Sequence, residues 1–488
     1  MSSELTRVQA PPARTYPSLR AAAIPLGALC LAFFVEMVDN TLMSIALPTI
    51  GRDLGGGTLS LQWVAAAYSV TFGGLLLTAG SAADRLGRRR VLLVGLAVFG
   101  VVSLGVIAVS STGELIGLRA VLGIAAAMMA PVTNSLVFRL FADDVLRRKA
   151  FTVMITVGLT GFILGPVLGG TALAHVPWQW LLIVNAPIAL IAWLGVRRGV
   201  PADHPEDLTH DRLDLPAALL STVAIGLGCF TFTSGVLFGW ASWQTLGSAT
   251  AAVLALVAFV IRERRTPEPM LDLALLHRGT VRGALMAQLA TAVAMAAVMF
   301  GLILQFQYAY GWSPVKAGLA NLPLILTMLV ASPLAEQLVT RVGHRFACLV
   351  GSALLAGSLA GMALAVDHGY LAIAACMVTF SFGLRIVMTT CAVALVDAMP
   401  ENRTSLGTSL NDTAQEVGSS IGTAFIGTII AVLVTTVLPD GTWSDSLVSS
   451  YFHGERVAFL ALALAVGVVA GWGSLTLTDS HATEEHPA

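Results

Sequence analysis

Fourteen mainly apolar runs follow one another along the chain, each near the ~20 residues that an α-helix needs to cross a hydrocarbon core. They lie near 24–48, 61–81, 91–110, 114–139, 150–174, 180–197, 214–235, 244–261, 282–306, 315–338, 346–366, 370–397, 404–437 and 456–477. Inside lipid no water satisfies a bare N–H or C=O, so segments of this kind have to be helical. Composition removes the alternative of a large soluble helical protein. Hydrophobic residues make up 56% of the sequence and charged residues 11%, where a soluble domain carries ~25% charged residues. The expectation is an all-α integral membrane protein solvated by the lipid bilayer. A net charge of −1 offers no excess for a nucleic-acid partner. Cys30, Cys229, Cys348, Cys376 and Cys391 all fall in apolar runs without CxxC spacing. They read as small buried hydrophobes, and neither disulfide, metal nor cofactor is expected.

An even number of spans puts both ends on one face, and the basic residues say which. Of 27 lysines and arginines, 22 fall in the N-terminal tail and the even-to-odd connections, among them Arg7, Arg14, Arg212 and Arg403. The other face receives only Arg52, Lys316 and Arg456, while Arg119 and Arg385 sit within spans. By the positive-inside rule a multi-pass protein of the inner membrane with both termini cytoplasmic is expected. The first run contains Glu36 and Asp39 and no small-residue cleavage site, so it reads as a retained span and not as a signal peptide. Polar, Pro-containing connections bracket the runs at 214–261. The organisation expected is a tail (1–23), a six-helix bundle (24–197), linkers carrying an inserted helix pair (198–281), a second six-helix bundle (282–477) and a tail (478–488). Two bundles rocking about a midplane site are what alternating access requires.

The loop after the second run reads Gly80-Ser-Ala-Ala-Asp84-Arg85-Leu-Gly87-Arg88-Arg89-Arg90. Its glycines suit a tight turn with close helix approach, and Asp84 can pair with an arginine or accept from helix N-terminal amides. The fifth run carries Gly161-Phe-Ile-Leu-Gly165-Pro166-Val-Leu-Gly169-Gly170, the fourth Leu115-xxx-Arg119-xx-Leu-Gly123, and the first Asp39-Asn-Thr41 through Ala46-Leu47-Pro48. Together these motifs resemble the major facilitator superfamily, in particular its fourteen-span drug:proton antiporter branch. Trp178-Gln-Trp180, Gly311-Trp-Ser313-Pro314 and a weaker echo of the first loop, Arg341-Val-Gly343-His-Arg345, agree with it. The resemblance covers residues 20–477 and implies that Gly80, Asp84, Arg85, Gly87 and Arg88 form a gating loop that latches the bundles. It also implies that Gly161, Gly165, Pro166, Gly169 and Gly170 form the exporters' fifth-helix motif. Three departures stand out: Gln179 between the two tryptophans, Arg385 where glycine is usual, and Gln415-Glu416 in place of an Arg-Gln pair.

An ionisable group at midbilayer costs ~2.5–3.5 kcal/mol on insertion scales, so each one calls for a reason. Glu36 and Asp39 share one face of the first helix, and Asp412 and Glu416 one face of the thirteenth. The resemblance places Asp39, Arg119 and Arg385 facing a central cavity, with Asp412 and Glu416 approaching it; the polar start of their own stretch leaves the membrane interface as the alternative position for these two acids. His175, His368 and His453 are expected in loops without a role.

The function expected from the resemblance is proton-coupled export of an amphipathic antibiotic or drug by a monomer, with Asp39 as the carboxylate that alternates between proton and substrate. Self-resistance in a producing bacterium and general efflux both fit. Export of an endogenous metabolite such as an amino acid or lipid precursor is the alternative among transporters. A membrane enzyme or sensor is the alternative of a different class. Against an enzyme stands the lack of any HExxH, nucleophile elbow or phosphate-binding glycine loop. Acids favour a cationic substrate and Arg385 a carboxylate, so an anionic or zwitterionic one stays open. The topology is checked with impermeant thiol reagents on intact cells. Ser60→Cys and Ser444→Cys are expected to react and Ser2→Cys is not; labelling at position 2 from outside would reverse the orientation.

Overall fold

The computed structural model describes residues 15–203, 208, 214–266, 273–399, 404–434 and 443–477. Arg7, Arg14, Arg212, Arg403 and the C-terminal tail lie outside them. The described residues form fifteen α-helices. The first half of the chain gives α1 (Ala23–Leu54), α2 (Thr58–Leu86), α3 (Arg88–Leu104), α4 (Thr112–Arg139), α5 (Asp144–Leu173), α6 (Gln179–Ile183) and α7 (Asn185–Gly199). A pair follows, α8 (Leu215–Phe238) and α9 (Trp243–Arg265). The second half gives α10 (Gly279–Leu304), α11 (Pro314–Ala320), α12 (Leu322–Ala365), α13 (Tyr370–Asp397), α14 (Thr404–Leu433) and α15 (Asp445–Leu475).

Twelve stretches of helix among the described residues are long and apolar enough to cross a membrane. Fourteen were expected, and the difference lies in two places. The stretch Pro314–Ala365 counts once although it holds 52 residues, and Gly343 within it has a non-helical backbone at φ 81. The other is α5, of which only Leu164–Leu173 registers, as a shorter apolar helix.

Helix signals sit where backbone chemistry requires them. Ser111, Asp143, Ser242, Ser313 and Ser444 each accept from an amide of the first turn and so cap α4, α5, α9, α11 and α15. The Ser444 cap corrects the expected start of the last span, because α15 begins at Asp445 and not near 456. Glu455 and His453 are thereby helical residues, and His453 does not lie in a loop. Gly87 at φ 99 ends α2 and opens α3. Gly343 repeats that left-handed backbone in the second half, and both positions favour a residue without Cβ. Gly80, expected in the turn, lies inside α2, and a Cβ there would meet nothing within 4 Å.

The halves are built alike. In the first, α5 packs along α1; in the second, α14 packs along α10. Small residues four apart allow both approaches. A Cβ on Gly161 would meet Phe34 at 2.9 Å, one on Gly165 would overlap Thr41, and one on Gly169 would meet Leu42 at 2.7 Å. In the second half a Cβ on Gly418 would lie 2.6 Å from the Leu289 carbonyl oxygen, and one on Gly422 would overlap that of Val293.

Between the halves, α2 packs on α14 and α5 on α11. Gly170 abuts the backbone of Pro314 and Val315, and Gly318 abuts that of Pro166. Close by, Gln307 donates to the Ile45 carbonyl at 2.9 Å and the Tyr308 hydroxyl to that of Pro48 at 3.0 Å. Both donors sit on a π-helical turn, Gln305–Ala309, that prolongs α10. These contacts join the halves at the end of the bundle marked by Pro48, opposite the Asp84 end. The pair α8–α9 lies against α2 and α14. Thr233 accepts from Trp63 at 2.8 Å and Gln62 at 3.3 Å, and Ser221 donates to the Gly74 carbonyl at 3.0 Å.

Overpacking one of these seams costs ~1–3 kcal/mol. Gly165→Val is therefore expected to lower the thermal midpoint of the purified protein by several degrees. Gly113→Ala, where a Cβ meets nothing within 4 Å, is expected to leave it within about a degree. Equal midpoints for Gly165→Val and the parent protein would mean that α1 and α5 do not depend on this close approach.

Candidate functional site

The two halves enclose a cavity of about 320 Å³ lined from α1, α2, α4, α5, α10, α12, α13 and α14. That volume falls in the range of pockets that bury drug-sized molecules. Most of the wall is apolar, and six methionines contribute to it: Met37, Met43, Met295, Met299, Met328 and Met388. Unbranched and polarisable, methionine re-forms around differently shaped ligands. Three ionisable side chains reach the wall, Arg119, Arg385 and Glu416.

Arg119 is held on every side. It forms an ion pair with Asp39, donates through Nε to the Val64 carbonyl at 3.4 Å and stacks 4.5 Å over the Tyr68 ring. The second oxygen of Asp39 accepts from Asn185 Nδ2 at 2.7 Å. Both members of the ion pair are 1% exposed. Asp39 thus does not itself line the cavity and is joined to it through Arg119, whereas the resemblance placed it facing inward. One face of α1 explains this: Asn40, Thr41 and Ser44 line the cavity while Asp39 turns toward α4 and α7.

Glu36, a turn before Asp39, is also buried, and it lies within electrostatic range of Asp39, Asp412 and Glu416. Two of the four carboxyl groups expected from the sequence thus lie on α1 and two on α14, and of the four only Glu416 lines the cavity. Glu416 belongs to the cavity wall and not to the membrane interface, and its Oε2 has no hydrogen-bond partner among the described residues. Asp412, a turn earlier, accepts from the Asn411 side chain at 3.3 Å. Arg385 on α13 lines the cavity, its Nε without a hydrogen-bond partner among the described residues. Deeper in the same wall, Gln288 donates to Gln415 at 3.3 Å.

At the Asp84 end, Asp84 pairs with Arg88 one turn on, at 2.7 Å, both partly exposed. The amides that open α3 are served by a different acid. Asp203, in the connection after α7, accepts from the Arg89 amide at 3.0 Å and pairs with Arg139 at the end of α4 at 2.9 Å. A Cβ on Gly87 would come within 3.1 Å of the same carboxylate, which gives the glycine a second reason beside its φ. Arg85 is exposed. The Arg89 guanidinium donates to the Arg197 carbonyl, so this loop also holds the exit of α7.

Sequence reasoning missed Asn185, Asp203 and Glu455. An asparagine inside an apolar run signals a polar partner within the bundle, and that signal was available for Asn185. Glu455 of α15 is fully buried beside Gly301 of α10, with neither carboxyl oxygen partnered among the described residues. Its neighbour Tyr451 donates to the Gly301 carbonyl at 2.9 Å.

The sequence profile of the Major Facilitator Superfamily matches residues 29–423. Similar proteins include the puromycin resistance protein of Streptomyces alboniger, 33% identical over 91% of this chain and 88% of its own. The tetracenomycin C resistance and export protein of Streptomyces glaucescens is 29% identical over 95% and 84%. The multidrug efflux pump LfrA of Mycolicibacterium smegmatis is 30% identical over 87% and 84%. Among solved structures, a bacterial homologue of the human lysosomal transporter Spinster, in an inward-facing and unoccupied conformation, superposes with a TM-score of 0.68. It is 14% identical and covers 96% of this chain and 99% of its own. The motifs, the paired halves with a cavity between them, and these matches agree, and the chain belongs to the Major Facilitator Superfamily.

Proposed function

We propose that this protein exports amphipathic antibiotics or drugs across the cytoplasmic membrane in exchange for protons. The observation that carries the reading is the buried Asp39–Arg119 pair placed against an adaptable, methionine-rich cavity between two halves. The resistance and export roles named for the relatives above support the cargo class. A single chain supplies both halves and the cavity, which favours a monomer as the working unit.

Fourteen spans fit the chain better than twelve. Gly343 divides the 52 residues of Pro314–Ala365 into two passages, and α5, with 30 residues, is about 45 Å long. On that reading α8–α9 is the inserted pair. The excess of basic residues on one face then puts both termini and the Asp84 end in the cytoplasm. The contacts at the Pro48 end close the outer side, and the cavity serves the inner one.

In this state Asp39 is bonded to Arg119. A proton on Asp39 removes the charge that holds the guanidinium and leaves Arg119 to face the cavity; loss of the proton restores the pair. Charge on the wall therefore changes with protonation. One charge crossing 100 mV is worth ~2.3 kcal/mol, enough for concentrative export. Glu36, Asp412 and Glu416 offer the proton a route between the halves. Asp84, Arg85, Gly87 and Arg88 form the inner gate, with Asp203 holding the loop in place.

Two measurements follow. In proteoliposomes with matched protein amounts, Asp39→Asn is expected to insert normally and lose transport driven by a pH gradient, while Asp39→Glu keeps part of it. Full uphill transport by the Asn variant would remove Asp39 from coupling. Asp84→Asn is expected to impair transport more than it lowers the folded amount in the membrane, and normal transport at normal abundance would reduce the loop to a topology signal.

A further inference from the structure

The ionic side chains of the cavity are not equivalent. Arg119 is already neutralised by Asp39, and both oxygens of Asp39 are occupied. What remains on the wall without an ion-pair partner among the described residues is one cation, Arg385, and one carboxyl group, Glu416, which Ser69 also serves with a hydrogen bond. Each has a buried polar atom without a partner among the described residues, Nε and Oε2. The acid electrostatically nearest Arg385, Glu336, is exposed and forms no ion pair with it among the described residues. Both unmatched groups belong to the second half, on the adjacent helices α13 and α14. Across the cavity, α1 offers Phe33, Met37, Met43 and Leu47, a surface for an apolar body.

We infer that the preferred ligand is a zwitterionic amphiphile, its anionic group on Arg385 and its ammonium on Glu416, with its apolar body against α1. The inference rests on the export reading and deepens it. A singly charged ligand would satisfy one of the two groups and leave the other unpaired in a low-dielectric wall. A zwitterion matches both, and the guanidinium fork suits a planar carboxylate. Substrate head-group recognition would then lie in the second half, apart from the Asp39–Arg119 pair of the first.

Nε-dansyl-lysine, its methyl ester and its Nα-acetyl derivative share one apolar body and present a zwitterion, a cation and an anion. Binding to the purified full-length protein is read from dansyl fluorescence. A charge-assisted hydrogen bond is worth about tenfold or more in affinity, so the zwitterion is expected to bind at least about tenfold more tightly than either derivative. Arg385→Gln is expected to bring the zwitterion down to the level of the ester while ester binding holds, which also shows the variant folded. Glu416→Gln should erase the preference over the acetyl derivative in the same way. An ester that matches the zwitterion in the parent protein overturns the inference, as does an equal loss of all three probes in Arg385→Gln. Ethidium export separates the two readings. Export of ethidium without binding of any dansyl probe overturns the head-group inference alone. Failure of both means that the export reading has failed and takes the inference with it.

Discussion

Two charges with almost no access to water organise the first half. Removing an ion from water costs several kcal/mol even after relaxation, and opposite charge recovers it only when every lone pair and proton finds a partner. Asp39 and Arg119 approach that condition by recruiting two further helices. Val64 and Tyr68 come from α2, Asn185 from α7, and the pair itself joins α1 to α4. Breaking such a pair leaves an uncompensated charge at a cost of ~3–5 kcal/mol. On the proposed mechanism, protonating Asp39 removes the carboxylate charge and leaves Arg119, which lines the cavity, as the group to be matched from the cavity side.

The seams between helices show the complementary economy of small residues. Glycines four apart bring α5 onto α1 and α14 onto α10, two equivalent positions in two similar halves. Across the halves, the Pro48 end is closed by backbone against glycine and by side chains of α10 on carbonyls of α1. None of these cross-half contacts buries a charge. The α1 ladder is itself interrupted at Pro48, which has no N–H to give. A seal made of neutral hydrogen bonds, each worth about 1 kcal/mol net, opens at far lower cost than one made of buried ions.

Much of this architecture was legible in the sequence because a bilayer imposes length, apolarity and charge asymmetry residue by residue. The fifth-helix motif could be read for the same reason: small residues at a four-residue spacing have one dominant use in lipid. Glycine 80 was misread because nothing local reveals that α2 continues past it to Leu86. Asp203 escaped because it is one acid in a polar connection, and only the folded chain brings it to the Arg89 amide. Glu455 escaped with the start of α15, which the Ser444 cap sets a full three turns ahead of the apolar run. That Asp39 does not itself line the cavity was equally hidden. Helical spacing puts Glu36 and Asp39 on one face of α1, but which face meets the cavity is decided by α4 and α7.

Helix α1 is where these arrangements meet. Asp39 holds it to α4 and α7, Thr41 receives the close approach of Gly165, and the carbonyls of Ile45 and Pro48 close the bundle end. At 1.5 Å per residue the ion pair and the Ile45 carbonyl stand only about 9 Å apart along the axis. Packed helices transmit a displacement of that range as rigid bodies, since their seams tolerate little compression. On the proposed mechanism a change in the charge of Asp39 would act on the helix that carries these contacts, while the glycine seam ties α1 to α5, the helix whose Gly170 abuts the other half. Site and seal need no longer pathway than one helix and its neighbour.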